Sequence, residues 1–244
     1  MPRTKRLYEP RSYLNTDQLL NARKADDFLV YHLNKPFNAT ITIVWKYIAP
    51  WSTTEERNSY HKAFLQRLRS WYRDKGYDLY LIAVKEFSVS TRADKNNGLH
   101  THIAIHLPKQ TFQEYFDELN SYIQSMLMRW FKVESLNFFD PRTCIINQID
   151  SMYNKTVEQN HDDLITYLYK TYDPTARLLD LTTNSTITVN DALGLTDRGK
   201  RADNMTPILG QRLSMTENIN HLARQQSGFT SKYDRYSVAM RAKQ

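Results

Sequence analysis

A single cysteine, Cys144, is all the thiol chemistry this 244-residue chain possesses. One thiol closes no internal disulfide and supplies no thiolate zinc set, so a disulfide-stapled scaffold is excluded and a reducing interior is the expected compartment. The chain also lacks any apolar run of roughly eighteen or more residues, the length a membrane-spanning helix needs. Its start, MPRTKRLYEPRSY, is basic with no apolar stretch behind it, which predicts no secretory leader and a cytoplasmic protein. No internal repeat is visible. A G-x-x-x-x-G-K-[ST] phosphate loop is missing too, so no helicase of its own is expected.

What is present is an ordinary globular composition, 41% hydrophobic and 24% charged, enough for one sizeable core and a small appendage. The net charge of +7 points to a polyanionic partner, of which nucleic acid is the commonest. Sixteen tyrosines offer faces that stack on unpaired bases, or that simply pack the core and its rim.

The pattern of apolar residues divides the chain. Residues 1–36 form a basic arm with one helical candidate at 16–33. FNATITIVWKY (37–47) alternates and is β-branched, predicting a strand. TTEERNSYHKAFLQRLRSWYRDKGY follows, with Thr53 or Thr54 as N-cap, Tyr60, Phe64, Leu68 and Trp71 at helical spacing, and Gly76 as the stop. YDLYLIAVKEFSV is apolar on both faces and reads as a central strand. The polar STRADKNNG turns the chain into LHTHIAIHL, a third strand antiparallel to the second. TFQEYFDELNSYIQSMLMRWF is a predicted helix with Phe112, Phe116, Leu119, Ile123, Met126 and Trp130 as its inner stripe. TCIINQI is a fourth strand, and HDDLITYLYKTY a further helix stopped by Asp173-Pro174. This order predicts an α+β fold of the ferredoxin-like (RRM-like) split βαβ type, an antiparallel sheet with helices on one face and the other face left open for function.

Beyond that core, 176–204 is polar and turn-rich and reads as a linker with a short strand pair. Residues 205–244 show two helix starts, Thr206-Pro207 and the capping-box spacing of Ser214 with Glu217. They form a small helical C-terminal region, either a DNA-reading helix–turn–helix or a docking hairpin.

NNGLHTHIAIHLP (96–108) packs three of the chain's seven histidines into seven residues. Residues two apart on a strand point the same way, about 6.5–7 Å apart. His100, His102, Ala104 and His106 therefore share one face, and Leu99, Thr101, Ile103, Ile105 and Leu107 take the core. Two such imidazoles converge on a divalent cation when a neighbouring strand adds a third ligand, and Glu86 in AVKEFS is placed to do so. His106, a step further on, is a fourth ligand or a rim residue bonding substrate or water. The bland alternative is a polar, solvent-facing edge strand. Mixed imidazole and carboxylate donors with open positions suit catalysis, whereas a structural zinc site closes four ligands, usually with thiolates.

HDDLITYLYKTYD puts Tyr167 and Lys170 at i and i+3, on one helix face, with Tyr169 turned away and Tyr172 near it. A phenol ionises at a pH of about 10 and is a poor nucleophile at neutral pH. A neighbouring ammonium favours the phenolate, and a metal polarises the phosphate under attack. Attack by Tyr167 on a phosphodiester would be covalent catalysis through a phosphotyrosine. The same residues also suit a helix whose tyrosines only pack on the sheet.

Taken in order, FNATITI, then LHTHIAIH behind a Glu-bearing strand, then YLYK resemble the HUH endonucleases that initiate rolling-circle replication of plasmids and filamentous phages. The resemblance covers roughly 37–173 and implies an endonuclease domain at 37–175. It implies that His100 and His102 hold Mg²⁺ or Mn²⁺ with Glu86 as third ligand. Tyr167 would cut single-stranded or hairpin origin DNA, keep the 5′ phosphate and free a 3′ hydroxyl, with Lys170 as helper cation. His106, Tyr169 and Tyr172 are additional site candidates. Asn38, Thr40 and Thr42 of the first motif, with Lys46, Arg92 and Lys95, are the implied DNA contacts. Two-tyrosine members carry a second tyrosine four positions on; Thr171 stands there, so one working nucleophile is expected. Relaxases place their tyrosine before the histidines, the reverse of this chain. The implied partners are a host helicase and DNA polymerase in a bacterial cytoplasm, with no membrane. A single-strand transposase uses the same motif order. From other classes, an RRM-like RNA binder and a metal-dependent oxygenase or hydrolase of small molecules stand as alternatives.

Overall fold

The computed structural model describes residues 13–88, 98–108, 112–132, 144–148, 157–173, 175–195, 208 and 211–239. Helix α1 (Thr16–Tyr31) starts at Asn15, whose side chain accepts hydrogen bonds from the amides of Asp17 and Gln18. The central unit then runs β1 (Ala39–Val44), a short α2 (Trp45–Ile48), α3 (Thr54–Asp74), β2 (Leu81–Ser88), β3 (Gly98–Ile105), α4 (Phe112–Phe131) and β4 (Cys144–Gln148). Thr53 and Glu56 form the capping box that starts α3, and Gly76, at a φ of 74°, follows its end. After β4 come α5 (Val157–Leu168), β5 (Arg177–Asp180), β6 (Ser185–Thr188), α6 (Val189–Leu193), β7 (Leu213–Met215), α7 (His221–Gln226) and β8 (Tyr236–Val238).

The fold is α+β with antiparallel sheets. A five-stranded sheet has the order β4-β1-β3-β2-β7, and a three-stranded one the order β6-β5-β8. On one face of the larger sheet, Ile41, Ile43, Leu81, Ala83, Leu99 and Ile103 pack beneath α3 and α4. The buried stripe of α4 is Tyr115, Leu119, Ile123, Met126, Leu127 and Phe131, with Phe116 and Trp130 only partly buried. Leu119, Ile123 and Met126 of the expected stripe are buried as expected, and Tyr115 joins them by packing on Trp71 and Tyr72 of α3, at ring separations of 5.2 and 5.8 Å.

The opposite face is not open, which corrects the expectation of helices on one side only. Ile82, Val84, Ala104 and Leu213 lie beneath Leu19, Phe28 and Leu29 of α1, Ile165 and Leu168 of α5, and Leu178, Val189 and Leu193 further on. Burying apolar area stabilises by about 25 cal/mol per Å², so an apolar second face recruits a cover. The two-sided apolarity of β2 is the sequence trace of this double burial.

The described part of the expected linker is accordingly folded. It forms the β5–β6 pair and α6, with Leu178, Val189, Leu193 and Leu195 buried. In the tail, Ser214 caps no helix: it sits inside β7 opposite Ala83. A single-turn 3-10 segment, Glu217–Ile219, follows, and Asn220 caps α7 by accepting from the Ala223 amide. A strand, that turn and a short helix thus stand where two helix starts were expected, because pairing with β2 and burial of Leu213 outweigh a capping-box spacing. Thr206 and Pro207 lie outside the described residues. No described helix is long and apolar enough to cross a membrane.

Candidate metal centre

Strand register assembles the site. His100 stands opposite Glu86 across the β3–β2 pair, and His102 opposite Thr42 across the β3–β1 pair. Opposed residues of an antiparallel pair share a face. Glu86, His100, His102 and Thr42 therefore all point to the side covered by α1 and α5. Glu86 Oε2 lies 3.1 Å from His100 Nε2 and 3.3 Å from His102 Nε2. The carboxylate is 1% exposed and each imidazole 6%.

The outer ring atoms are already committed. His100 Nδ1 donates to the Gly98 carbonyl at 3.1 Å, and its Nε2 faces the Glu86 carboxylate. His102 Nδ1 is 3.0 Å from the Thr42 hydroxyl. Burial lowers His102 to about 4 against the pull of Glu86, so the ring is neutral at pH 7. Burial alone would raise Glu86, but His102, His100 and Lys170 hold its carboxyl well below the usual range. Its second oxygen, Oε1, is buried with no hydrogen-bond partner among the described residues.

Glu86 Oε2 and the two Nε2 atoms turn toward one another. The three candidate ligand atoms lie within 4.8 Å of one another, and these residues could hold a metal ion. The bonds from Gly98 and Thr42 are the outer contacts that fix ligand rings in such sites.

Helix α5 brings the tyrosine. It is docked by His161, which accepts from the Phe37 amide at 3.1 Å and stacks on the Phe37 ring; burial lowers this histidine to about 3, keeping it a neutral acceptor. Tyr167, in the last turn and half-buried, meets His102 edge-on at a ring separation of 5.3 Å. The helix ends at Leu168, four residues before its expected end, and the chain tightens so that the Lys170 amide bonds the Tyr167 carbonyl. That turn brings Lys170 Nζ to 3.7 Å from the Tyr167 ring centre and 3.0 Å from Glu86 Oε2. Tyr167, Lys170, Glu86, His100 and His102 are thus brought together.

The other candidates are placed elsewhere. His106 Nδ1 donates to the Pro36 carbonyl at 2.7 Å, and the ring stands outside the three-residue group. Tyr169 is fully buried with its hydroxyl donating to Asp26, and the Tyr172 hydroxyl donates to Asn190. Asn38 clamps the end of β3: its Nδ2 donates to the Leu107 carbonyl and its Oδ1 accepts from the Leu107 amide, with 1% of the residue exposed. Thr40 is half-buried opposite Ala104, Thr42 orients His102, and Lys46 is half-buried in α2. Arg92 and Lys95 lie outside the described residues.

One contributor carries no signal in the sequence. Arg212, just before β7, is 3% exposed; its Nε donates to the Lys85 carbonyl and its Nη2 to the Thr171 hydroxyl. It links the residue before Glu86 to the residue after Lys170. No spacing rule relates position 212 to either, although the Leu213–Met215 alternation hints at the strand that carries it.

No protein-family model, curated protein or solved structure matches this chain.

Proposed function

We propose that this chain is a metal-dependent single-strand DNA nickase and strand transferase of the HUH type, acting as a rolling-circle replication initiator. The observation that carries the reading is the meeting of Tyr167 and Lys170 with the buried Glu86–His100–His102 group. The strand order β4-β1-β3-β2, with α3 between β1 and β2 and α4 between β3 and β4, supports a ferredoxin-like split βαβ core extended by β7.

Glu86, His100 and His102 would hold Mg²⁺ or Mn²⁺, which as a Lewis acid draws electron density from a phosphoryl oxygen. The Tyr167 hydroxyl oxygen bonds to phosphorus and loses its proton as the bond from phosphorus to the 3′ oxygen breaks. That oxygen takes up a proton and leaves as a 3′ hydroxyl, while the 5′ phosphate stays on the tyrosine. Attack by a 3′ hydroxyl on the phosphotyrosine reverses the step and joins strands. Lys170 sets its Nζ 3.7 Å from the centre of the ring where negative charge develops. An RRM-like RNA reader needs an open sheet face, and here that face lies beneath α1 and α5. The observation favours the enzyme.

The test is incubation with Mn²⁺ and single-stranded DNA carrying candidate origin hairpins, read as a covalent protein–DNA adduct on a denaturing gel. The expected result is an adduct that Tyr167→Phe abolishes, and cutting lost in His102→Ala while DNA binding persists. An adduct surviving Tyr167→Phe but lost in Tyr172→Phe would move the nucleophile. Failure to form an adduct with any strand would overturn the reading.

A further inference from the structure

We infer that Trp51, with Lys46 and Arg57, forms a stacking platform for an unpaired base of single-stranded DNA at the sheet end that carries the metal group. The inference rests on the nuclease reading and deepens it by naming a surface that would seat the strand.

The position follows from topology. β1 ends at Val44, directly opposite His100, and the chain passes through α2 into the turn that bears Trp51. Trp51 is 66% exposed, while Trp45 and Trp71 are buried and Trp130 packs against Tyr60 and Phe131. A large indole left in water forfeits burial that the chain's other tryptophans obtain, which marks it as a candidate contact.

The turn is fixed on both sides of the indole. Arg57 donates through Nε to the Ser52 hydroxyl at 3.1 Å and through Nη2 to the Pro50 carbonyl at 3.3 Å. The Ser52 hydroxyl in turn donates to the Ala49 carbonyl at 2.6 Å. An aromatic surface displayed on an ordered turn loses little further freedom on binding.

Cations adjoin it and reach toward the metal group. Gly98 opens β3 at a φ of 58°, and a Cβ built there would stand 3.8 Å from both the Arg57 guanidinium and the Lys46 side chain. The carbonyl of the same Gly98 holds His100 Nδ1. The two cations of the platform and the metal group therefore adjoin one residue, two positions from His100, or about 6.6 Å along a strand. Lys46 Nζ also lies 5.7 Å from the Tyr47 ring, adding a second aromatic to the cationic rim. Flat aromatic faces beside Lys and Arg are the chemistry that holds single strands without reading their sequence. Among the described residues, the remaining exposed large side chains offer less: Leu181, Leu222 and Val238 are aliphatic, Tyr77 packs edge-on against Tyr115, and Tyr31 lies under Lys232.

The experiment titrates the full chain, in EDTA so that no cutting intervenes, with oligodeoxythymidylate, the same-length duplex and oligouridylate, following indole fluorescence and affinity. Single-stranded DNA is expected to quench the wild-type emission, with the quench lost in Trp51→Leu and affinity reduced about tenfold. Trp51→Phe is expected to restore most of the affinity. Lys46→Gln is expected to lower the slope of log affinity against log salt by about one. Wild-type affinity in Trp51→Leu overturns the platform, as does equal quenching by duplex. Tighter, Trp51-dependent binding of oligouridylate overturns the assignment to DNA. An adduct formed without Trp51-dependent binding overturns the platform alone. Trp51-dependent binding of single strands without any adduct overturns the nuclease reading alone.

Discussion

The ammonium of Lys170 lies 3.0 Å from Oε2 of Glu86. The same nitrogen stands 3.7 Å from the centre of the Tyr167 ring, so one cation touches both the carboxylate of the candidate metal group and the proposed nucleophile. Lys170 and a divalent ion claim the same oxygen. Lys170→Met is therefore expected to tighten Mn²⁺ binding while slowing adduct formation by about 10²-fold, the order of effect for one preorganised charge-stabilising group. Calorimetric Mn²⁺ titration beside a timed gel assay checks both. Unchanged Mn²⁺ affinity would show that Lys170 does not compete for the carboxylate.

Thr42 holds His102 through a 3.0 Å contact to Nδ1. Thr42→Val keeps the strand and the volume but removes the hydroxyl. The expected result is a 10- to 100-fold loss of Mn²⁺ affinity, by the rule for partners of ligand histidines, with the melting temperature nearly unchanged. A variant that melts as wild type and binds Mn²⁺ equally well would remove Thr42 from the site.

Asp26 is buried among Arg23, Asp27, Asp162, Arg224, Tyr169 and Tyr233, and burial raises its carboxyl from 3.8 to about 7 against the pull of Arg23. Between about pH 4 and about pH 7 the folded chain holds a proton there that the unfolded chain has released. Stability from this group therefore falls as pH rises through that window, by at most about 1.4 kcal/mol per pH unit. Asp26→Asn is expected to gain stability relative to wild type as pH increases across it. Urea midpoints at several pH values measure the difference, and parallel curves for the two proteins would refute it.

Arg212 bonds the Lys85 carbonyl and the Thr171 hydroxyl from within the protein. Arg212→Met is expected to cost about 2–3 kcal/mol, since charged hydrogen bonds are lost and a carbonyl partner is left short. It should also slow adduct formation about tenfold by loosening the Glu86–Lys170 pair. Denaturant unfolding and single-turnover assays separate the two effects. A destabilised variant with wild-type cutting rate would limit Arg212 to the fold.

Truncation after Leu195 removes β7, α7 and the buried Tyr233 together. The expected outcome is loss of cooperative unfolding in calorimetry, because β2 loses its neighbour and α1 loses part of its packing. A truncated chain that melts cooperatively and still cuts would make the tail a separable module.

Much of the arrangement was legible in local spacing. Strand parity put His100 and His102 on one face and Ile103 and Ile105 on the other, as found. The Tyr167-x-x-Lys170 spacing also held, although the turn after Leu168 and not a continuous helix brings the ammonium over the ring. That Asn38 faces inward and clamps Leu107 is not legible in the sequence, because a short polar residue beside a strand reads alike whether it faces solvent or clamps a backbone. Ser214 was misread because its capping spacing is local, whereas its pairing with Ala83 is not.

The sequence by itself determined the strand and helix periods, the order of the motifs, and which donors share a side of β3, since each depends on residues only a few positions apart. Tertiary structure alone decided that Glu86 Oε2 meets both imidazoles, that α1 and α5 close over them, and that Arg212 reaches both Lys85 and Thr171. Those outcomes rest on cross-strand register and helix docking, which are set by burial summed over contacts between distant segments and leave no mark in any one short stretch of chain.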